Sequence, residues 1–166
     1  GGLIAQGLAA KRIDMIRAMV LSNTGAKIAT REIWGDRIDT IRRFGMGAIG
    51  DATMKRWFSK QFRTRAEMAA WRNMLISTPA EGYIGCAEAI AGTDFYTPTS
   101  ALRLPCLGIA GSEDDATPPD LVRETVELIP GSRLEIMRGA GHLPCVEDPE
   151  GYATHLRAFL SQVGHI

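Results

Sequence analysis

Two loops near the end of the chain contain residues that could act as an acid and a base. The loop GSEDDATPPD, at 111–120, contains Asp114, and the loop RGAGHLPC, at 138–145, contains His142. Each loop follows a short apolar or alternating run that predicts a strand. Ligands bind outside the carboxyl ends of parallel strands, so we expect Asp114 and His142 to be neighbours there. A buried aspartate bonded to an imidazole N–H fixes its tautomer and favours the imidazolium, which is the orienting role in a nucleophilic triad.

The residues around His142 favour a chemical role for this histidine. Gly139 and Gly141 permit backbone angles that would let the loop turn sharply and hold the imidazole over the sheet edge. The alternatives are a surface-loop histidine without function and an acidic loop that is merely solvated. The carboxylate expected from the neighbouring strand favours the catalytic pair.

The overall composition is that of a folded protein without a global charge. The 166 residues are enough for one domain with a sizeable core. Lys and Arg together number 19, as do Asp and Glu, so no global field favours nucleic acid or an anionic membrane as a partner. No apolar run reaches the roughly 18 residues of a membrane span.

The three cysteines indicate a reducing environment. Cys86, Cys106 and Cys145 are widely spaced, odd in number and belong to no CxxC or Cys/His cluster. This pattern argues against a disulfide framework and against a zinc site. A cytoplasmic location fits it best.

Apolar spacing and turn residues predict an alternation of helices and strands. Strands are predicted where short apolar runs end in turn formers, such as Asn23, and helices where apolar residues recur at helical spacing. Thr117 with Pro118, and Asp148 with Pro149, each resemble a capping residue followed by proline at a helix start. In chain order the prediction is a helix at 2–11, a strand at 17–22, a helical run at 30–91, a strand at 104–110, a helix from Thr117, a strand at 133–137 and a helix from Asp148.

This order predicts an α/β fold with a parallel sheet covered by helices on both faces. The long helical run has apolar stripes, one of them containing Trp34, which indicates an insertion with an apolar inner surface. We therefore expect a core formed by 1–25 and 98–166 and a separate helical segment at 26–97.

Several motifs resemble a known family. GSEDDATPP followed by GAGHLPCVEDPE resembles the Asp and His loops of the α/β-hydrolase superfamily, and GGLIAQGLAAKR with VLSNTGAKI looks like the 3-oxoadipate enol-lactonases. The resemblance covers essentially the whole chain and implies the C-terminal part of an α/β-hydrolase fold, with the helical segment as the family's cap. Ile13 departs from the proline that relatives often have there, which affects no catalytic role.

The resemblance places the nucleophile outside this chain. In the elbow Gly-x-Ser-x-Gly the serine stands two residues before the second glycine, and Gly1 and Gly2 match the family's Gly-Gly pair at that point. The serine and both oxyanion N–H groups are therefore expected before Gly1. Losing even one such donor costs about a hundredfold to a thousandfold in rate, so residues 1–166 alone should be close to inert. The expected partner is an N-terminal segment of the same enzyme that carries the serine.

No residue of the chain is a convincing substitute for that serine. Cys145 lies three residues from His142, which gives poor alignment for attack, and we interpret it as a small packed thiol. The serines lack the elbow between a strand and a helix and are interpreted as turn, cap or surface residues: Ser22, Ser59, Ser77, Ser100, Ser112, Ser132 and Ser161.

The function implied by the resemblance is a serine hydrolase that cleaves an ester or lactone, with Asp114 and His142 as acid and base and without metal or cofactor. The implied substrate, 3-oxoadipate enol-lactone, bears a carboxylate, so a cationic cap residue is expected. Trp34 is expected over the pocket, with a place in the cap core as the alternative. The available cations, among which the sequence does not choose, are Arg31, Arg37, Arg42, Arg43, Arg65 and Arg72.

Two other functions stay open at this point. One is a broader carboxylesterase with the same triad and a different pocket. The other, from a different class, is a non-catalytic binding fragment derived from a hydrolase.

Overall fold

Three parallel strands form the sheet of this protein, whose residues 1–166 are all described by a computed structural model. The strands are β1 (Met19–Ser22), β2 (Cys106–Gly111) and β3 (Arg133–Met137). β2 lies between the other two, with Leu21 opposite Gly108 and Ile109 opposite Glu135. The predicted α/β class with a parallel sheet is confirmed.

Nine α-helices surround or interrupt this sheet. None of them combines the length and the apolar character needed to cross a bilayer. They are α1 (Gly2–Lys11), α2 (Arg31–Phe44), α3 (Gly50–Trp57), α4 (Met68–Ile76), α5 (Ala80–Ala91), α6 (Tyr96–Ser100), α7 (Pro119–Glu127), α8 (Pro144–Glu147) and α9 (Pro149–Gln162). Short 3-10 turns lie at Ile13–Met15, Met46–Ile49 and Phe62–Thr64.

The central strand begins later than its apolar run predicts. The run starts at Leu104, whereas β2 starts at Cys106. Pro105 has no N–H to donate to a neighbouring strand, although its carbonyl accepts the Met19 N–H at 2.9 Å. The proline therefore marks the beginning of the regular ladder.

Helices cover both faces of the sheet, because successive side chains of a strand point to opposite faces. Leu107 and Ile109 of β2 pack with Phe159 of α9 on one face. Cys106 packs on the other face in a cluster that includes Ala9 of α1 and Val126 of α7. The sheet is thus the middle layer of the structure, and its strand ends are the places where loops can converge.

The helices between β1 and β2 have a core of their own. Phe58 and Phe62 stack at its centre with their ring centroids 4.9 Å apart. The predicted apolar inner surface of the helical segment is therefore present, whereas the division into 1–25 with 98–166 and 26–97 stays a prediction. The ten buried residues of this core are Ile38, Ile41, Met46, Ile49, Met54, Phe58, Phe62, Leu75, Ile84 and Ala87.

The two predicted helix starts after the sheet have different outcomes. Asp148 caps α9 by accepting the Gly151 N–H at 3.0 Å, with proline at the first helical position as predicted. The prediction of Thr117 as a cap is wrong, because α7 begins one residue later, at Pro119. Pro118 precedes another proline, which disfavours the helical region, and its ψ of 155° is extended. The Thr117 side chain is left for another role.

Candidate active site

Asp114 lies in the turn directly after β2, and its side chain is fully buried. Its backbone N–H donates to the Gly111 carbonyl at 3.2 Å, which folds the turn back over the strand end. One carboxylate oxygen, Oδ1, accepts the N–H groups of Ala116 at 2.7 Å and Thr117 at 3.0 Å. The turn therefore fixes the carboxylate with its second oxygen, Oδ2, directed toward the neighbouring loop.

His142 lies in the loop after β3 and meets Asp114. Gly139 adopts a φ of +75°, the left-handed region that favours glycine, and so permits the sharp turn that leaves the strand. The His142 Nδ1 atom lies 2.9 Å from the Asp114 Oδ2 atom. The imidazole side chain is 23% exposed, so most of the ring is buried and a small part of it is accessible from outside the protein. The structure thus brings together the two residues that the sequence placed at one sheet edge.

Two further side chains hold the aspartate, and sequence reasoning missed the role of both. Asn23, directly after β1, donates its Nδ2 protons to Asp114 Oδ2 at 2.8 Å and to the Gly141 carbonyl at 3.2 Å. The Thr117 hydroxyl donates to Asp114 Oδ2 at 2.8 Å and lies 3.1 Å from His142 Nδ1. The edge rule that paired the other two loops also applies to the end of β1 and could have found Asn23. Its φ of +47° agrees with a turn position.

Opposing effects act on the pKa of the Asp114 carboxyl. Burial raises this pKa, because it penalises the charged form. The hydrogen bond and the charge of His142 lower it, as do the bonds from Asn23 and the Thr117 N–H, and together they hold the pKa below its ordinary value. Asp114 is therefore a carboxylate at neutral pH, able to accept the Nδ1 proton of the imidazole.

A cavity of about 520 Å³ opens beside the imidazole. Its wall includes Gly1 and Gly2 at the start of α1 as well as Trp34. The Trp34 indole N–H donates to the Ile28 carbonyl at 2.7 Å, and the ring also packs against the helical core. Trp34 therefore occupies both positions that the sequence left open, the pocket wall and the edge of the core.

Among the six arginines considered from the sequence, Arg37 lines this cavity. Its Nε donates to the Tyr83 hydroxyl at 2.7 Å, and its Nη2 donates to the Thr53 hydroxyl. Both partners are neutral, so no side-chain carboxylate neutralises the guanidinium there. Arg56, which sequence reasoning had not considered, lines the same cavity.

The interpretation of Cys145 as a packed thiol is wrong. Cys145 is exposed and lines the cavity, and Cys86 on α5 does the same. The buried residue of the short helix α8 is Pro144, the neighbour of Cys145. Neither thiol hydrogen-bonds His142; the hydroxyl beside its Nδ1 belongs to Thr117.

Residues 1–155, nearly the whole chain, match the sequence model of the alpha/beta hydrolase family. This chain belongs to that family. One relative has a stated activity: "3-oxoadipate enol-lactonase 2" of Acinetobacter baylyi is 29% identical over 164 residues, which are 98% of this chain and 61% of the relative.

Solved structures agree with the assignment to the alpha/beta hydrolases. The enol-lactonase from Burkholderia xenovorans superposes with a TM-score of 0.90 at 32% identity, covering 96% of this chain and 62% of that one. A thermophilic esterase from Thermogutta terrifontis with malate bound superposes with a TM-score of 0.87 at 30% identity, covering 98% and 62%. The chain thus spans about three fifths of the length of these relatives.

The Asn23 contact leads to a first prediction for this alpha/beta hydrolase. Asn23→Gly removes the side-chain amide while glycine still accommodates the positive φ. Asp114 then loses one charged hydrogen bond, so we expect the free energy of unfolding to fall by about 2 kcal/mol in urea titrations. The control is Asn73→Ala, at an exposed position of α4, where alanine rather than glycine is used because the residue is helical. It should change stability by less than about 0.5 kcal/mol. Equal stability of the Asn23 variant and the native protein would contradict the contact.

Proposed function

We propose that this chain supplies the acid and the base of a serine hydrolase that cleaves ester or lactone bonds. His142 is the general base, Asp114 orients and stabilises it, and the nucleophilic serine lies two residues before Gly1 in an N-terminal segment. One observation supports this most strongly: the bonded pair, with 2.9 Å between Nδ1 and Oδ2, borders a cavity whose wall also contains Gly1 and Gly2.

The proposed reaction proceeds in two steps. The serine oxygen attacks the carbonyl carbon while its proton moves to Nε2 of His142, and the carbon–oxygen bond to the leaving group then breaks as His142 returns that proton. Water, deprotonated by the same imidazole, attacks the acyl-enzyme and releases the acid and the serine. The imidazolium that forms in each step is stabilised by the buried Asp114 carboxylate. Both proton transfers use the imidazole, so the proposal includes no metal or cofactor.

Exposed apolar surface supports the proposed N-terminal segment. On α1, Ile4 and Leu8 lie one turn apart and are 75% and 44% exposed. β1 pairs on one side only, with β2, and so presents an open edge. We propose that the serine-bearing segment packs here and that residues 1–166 without it hydrolyse esters at a greatly reduced rate.

We further propose that the helical segment 26–97 is the cap over the pocket and that the substrate is an enol-lactone bearing a carboxylate. Arg37 is the proposed partner of that carboxylate, because it faces the cavity and is bonded only to neutral hydroxyls. Trp34 forms part of the wall of the same pocket. The cytoplasmic location favoured by the cysteine pattern also stays a prediction.

Arg37→Gln, made in the full-length protein, provides the experiment for the substrate. We expect kcat/KM for 3-oxoadipate enol-lactone to fall about 10- to 100-fold, since a hydrogen bond to a charged group contributes about 1.5–3 kcal/mol. The rate with neutral p-nitrophenyl butyrate should change by less than about threefold. Arg43→Gln, on the same helix α2 but exposed, is the matched control and should leave both rates unchanged.

A broader carboxylesterase is the second candidate. The esterase from Thermogutta terrifontis, at 30% identity, is nearly as similar to this chain as the enol-lactonases, at 29% and 32%, and this favours it. If native protein hydrolyses p-nitrophenyl esters faster than the enol-lactone, and Arg37→Gln affects both substrates equally, the broader esterase replaces the lactonase.

A further inference from the structure

A short stretch of the helical segment contacts both loops that contain the proposed catalytic pair. We call residues 56–60, at the end of α3, the brace. Toward the acidic loop, the Arg56 carbonyl accepts the Asp115 N–H at 3.2 Å, and the Arg56 Nε donates to the Asp115 carbonyl at 3.3 Å. The Lys60 N–H donates to Glu113 Oε2 at 2.9 Å. The brace therefore fixes the backbone on both sides of the buried acid.

The brace also contacts the histidine loop directly. The Trp57 carbonyl accepts the His142 N–H at 2.7 Å, and the Trp57 ring stacks on the imidazole with centroids 6.1 Å apart. At Gly141 a Cβ atom would lie 2.4 Å from the Trp57 carbonyl oxygen, so only glycine permits this approach. The loop and the brace are thus in backbone contact.

One carboxylate joins the backbone of the histidine loop to the backbone of the brace. Glu147, at the end of α8, accepts the Gly141 N–H on Oε1 at 2.8 Å. Both of its oxygens lie 3.3 Å from the Ser59 nitrogen, and Oε2 also accepts the Ser59 hydroxyl. Ser59 is buried, and its Oγ accepts the Phe62 N–H at 3.2 Å. All of these partners are neutral donors, and no cation pairs with Glu147.

This arrangement differs from that of an ordinary surface acid. A half-buried carboxylate without a cation costs free energy unless its oxygens are hydrogen-bonded, and here the donors come from two separate parts of the chain. Removing the carboxylate would leave the Gly141 and Ser59 N–H groups without their acceptor. The residue directly affected is His142, because its backbone follows Gly141 and its side chain reaches Asp114.

We propose that Glu147 is a positioning residue for the base: it ties the histidine loop to the brace and so fixes the imidazole against Asp114. The inference rests on the proposed function for its catalytic consequence but not for the tether itself. In this proposal Glu147 does not contact the substrate. It acts on the alignment of His142 in the transition state, so its loss should change kcat more than KM.

The test uses full-length protein with the substitutions Glu147→Ala and Glu147→Gln. A misplacement of about 1 Å in an active site can cost about 100-fold in rate, so we expect kcat per active site to fall about 100-fold in the alanine variant, with KM changed less than about threefold. The glutamine variant keeps one acceptor oxygen for Gly141 and should lose less, about tenfold. Active sites are counted by the amount of a fluorophosphonate bound covalently at the end of the reaction, which removes the effect of misfolded protein. Glu150→Gln, an exposed acid at the start of α9, is the matched control and should behave like the native enzyme.

Deuterium exchange gives a readout that does not depend on activity. Glu147→Ala should increase the exchange rate of the Gly141 and Ser59 amides about tenfold, with little change in α9, because both N–H groups lose their acceptor. An unchanged exchange rate, or an unchanged kcat per titrated site, would overturn the inference. If native protein hydrolyses no ester or lactone, the proposed function fails, and the exchange result alone then decides whether Glu147 tethers the loop.

Discussion

His142→Ala in the full-length protein is expected to lower kcat for ester or lactone hydrolysis by about a millionfold, the loss typical of removing the base from a serine triad. No other imidazole lies at the cavity beside Asp114, so no side chain replaces it as proton acceptor. The measurement is the steady-state rate under saturating substrate, with folding checked by circular dichroism.

The matched control for this prediction is another histidine of the same chain. His155 lies on α9, where its Nδ1 is 3.7 Å from the Glu135 carboxylate, and it does not line the cavity. His155→Ala should keep kcat within about twofold, since surface substitutions away from a site have small effects. A native rate in the His142 variant would remove the assignment of the base.

Asp114→Asn is expected to lower kcat by about ten-thousandfold, the effect of the equivalent change in a serine triad. The Asp114 carboxylate accepts five hydrogen bonds, two on Oδ1 and three on Oδ2. An amide NH₂ at either oxygen position therefore faces donors and favours the wrong imidazole tautomer. Asp115→Asn, at the exposed neighbouring residue, is the control and should leave kcat unchanged.

The pH dependence of stability provides an independent readout of Asp114. Because its folded pKa lies below its unfolded value, the carboxylate stabilises the fold above the unfolded pKa of about 3.9. This contribution is lost as the pH falls through the lower folded pKa. Asp114→Asn should therefore flatten the acid side of a urea-unfolding series measured from pH 7 downward. If the variant and the native protein had the same dependence of stability on pH, the Asp114 carboxylate would not be stabilised as described.

Much of the fold and the central pair could be predicted because they depend on local patterns and one topological rule. Alternation of apolar runs and helical stripes indicates a parallel sheet, and the strands' carboxyl ends then bring Asp114 and His142 together. The boundaries were less accurate where prolines act. Pro105 delays the start of β2, and the Pro118–Pro119 pair delays the start of α7. Neither delay follows from the spacing of apolar residues.

The residues that support the pair could not be predicted in the same way. Thr117 has the sequence context of a helix cap, yet its hydroxyl bonds Asp114, and this depends on the turn geometry. Glu147 contacts Ser59, which is 88 residues away along the chain, and no local pattern indicates such a partner. Cys145 is exposed because of the way α8 sits beside the cavity, which is likewise a tertiary effect.

The central claim is that His142 and Asp114 activate a serine two residues before Gly1. The most direct measurement is labelling of the native, full-length protein with a fluorophosphonate, followed by peptide mapping in a mass spectrometer. We predict one labelled serine, in a Gly-x-Ser-x-Gly-Gly sequence that ends in Gly1 and Gly2, and no labelling in the His142→Ala variant. A label on Ser22, on Cys145 or on any other residue of 1–166, in an active protein, would contradict the account.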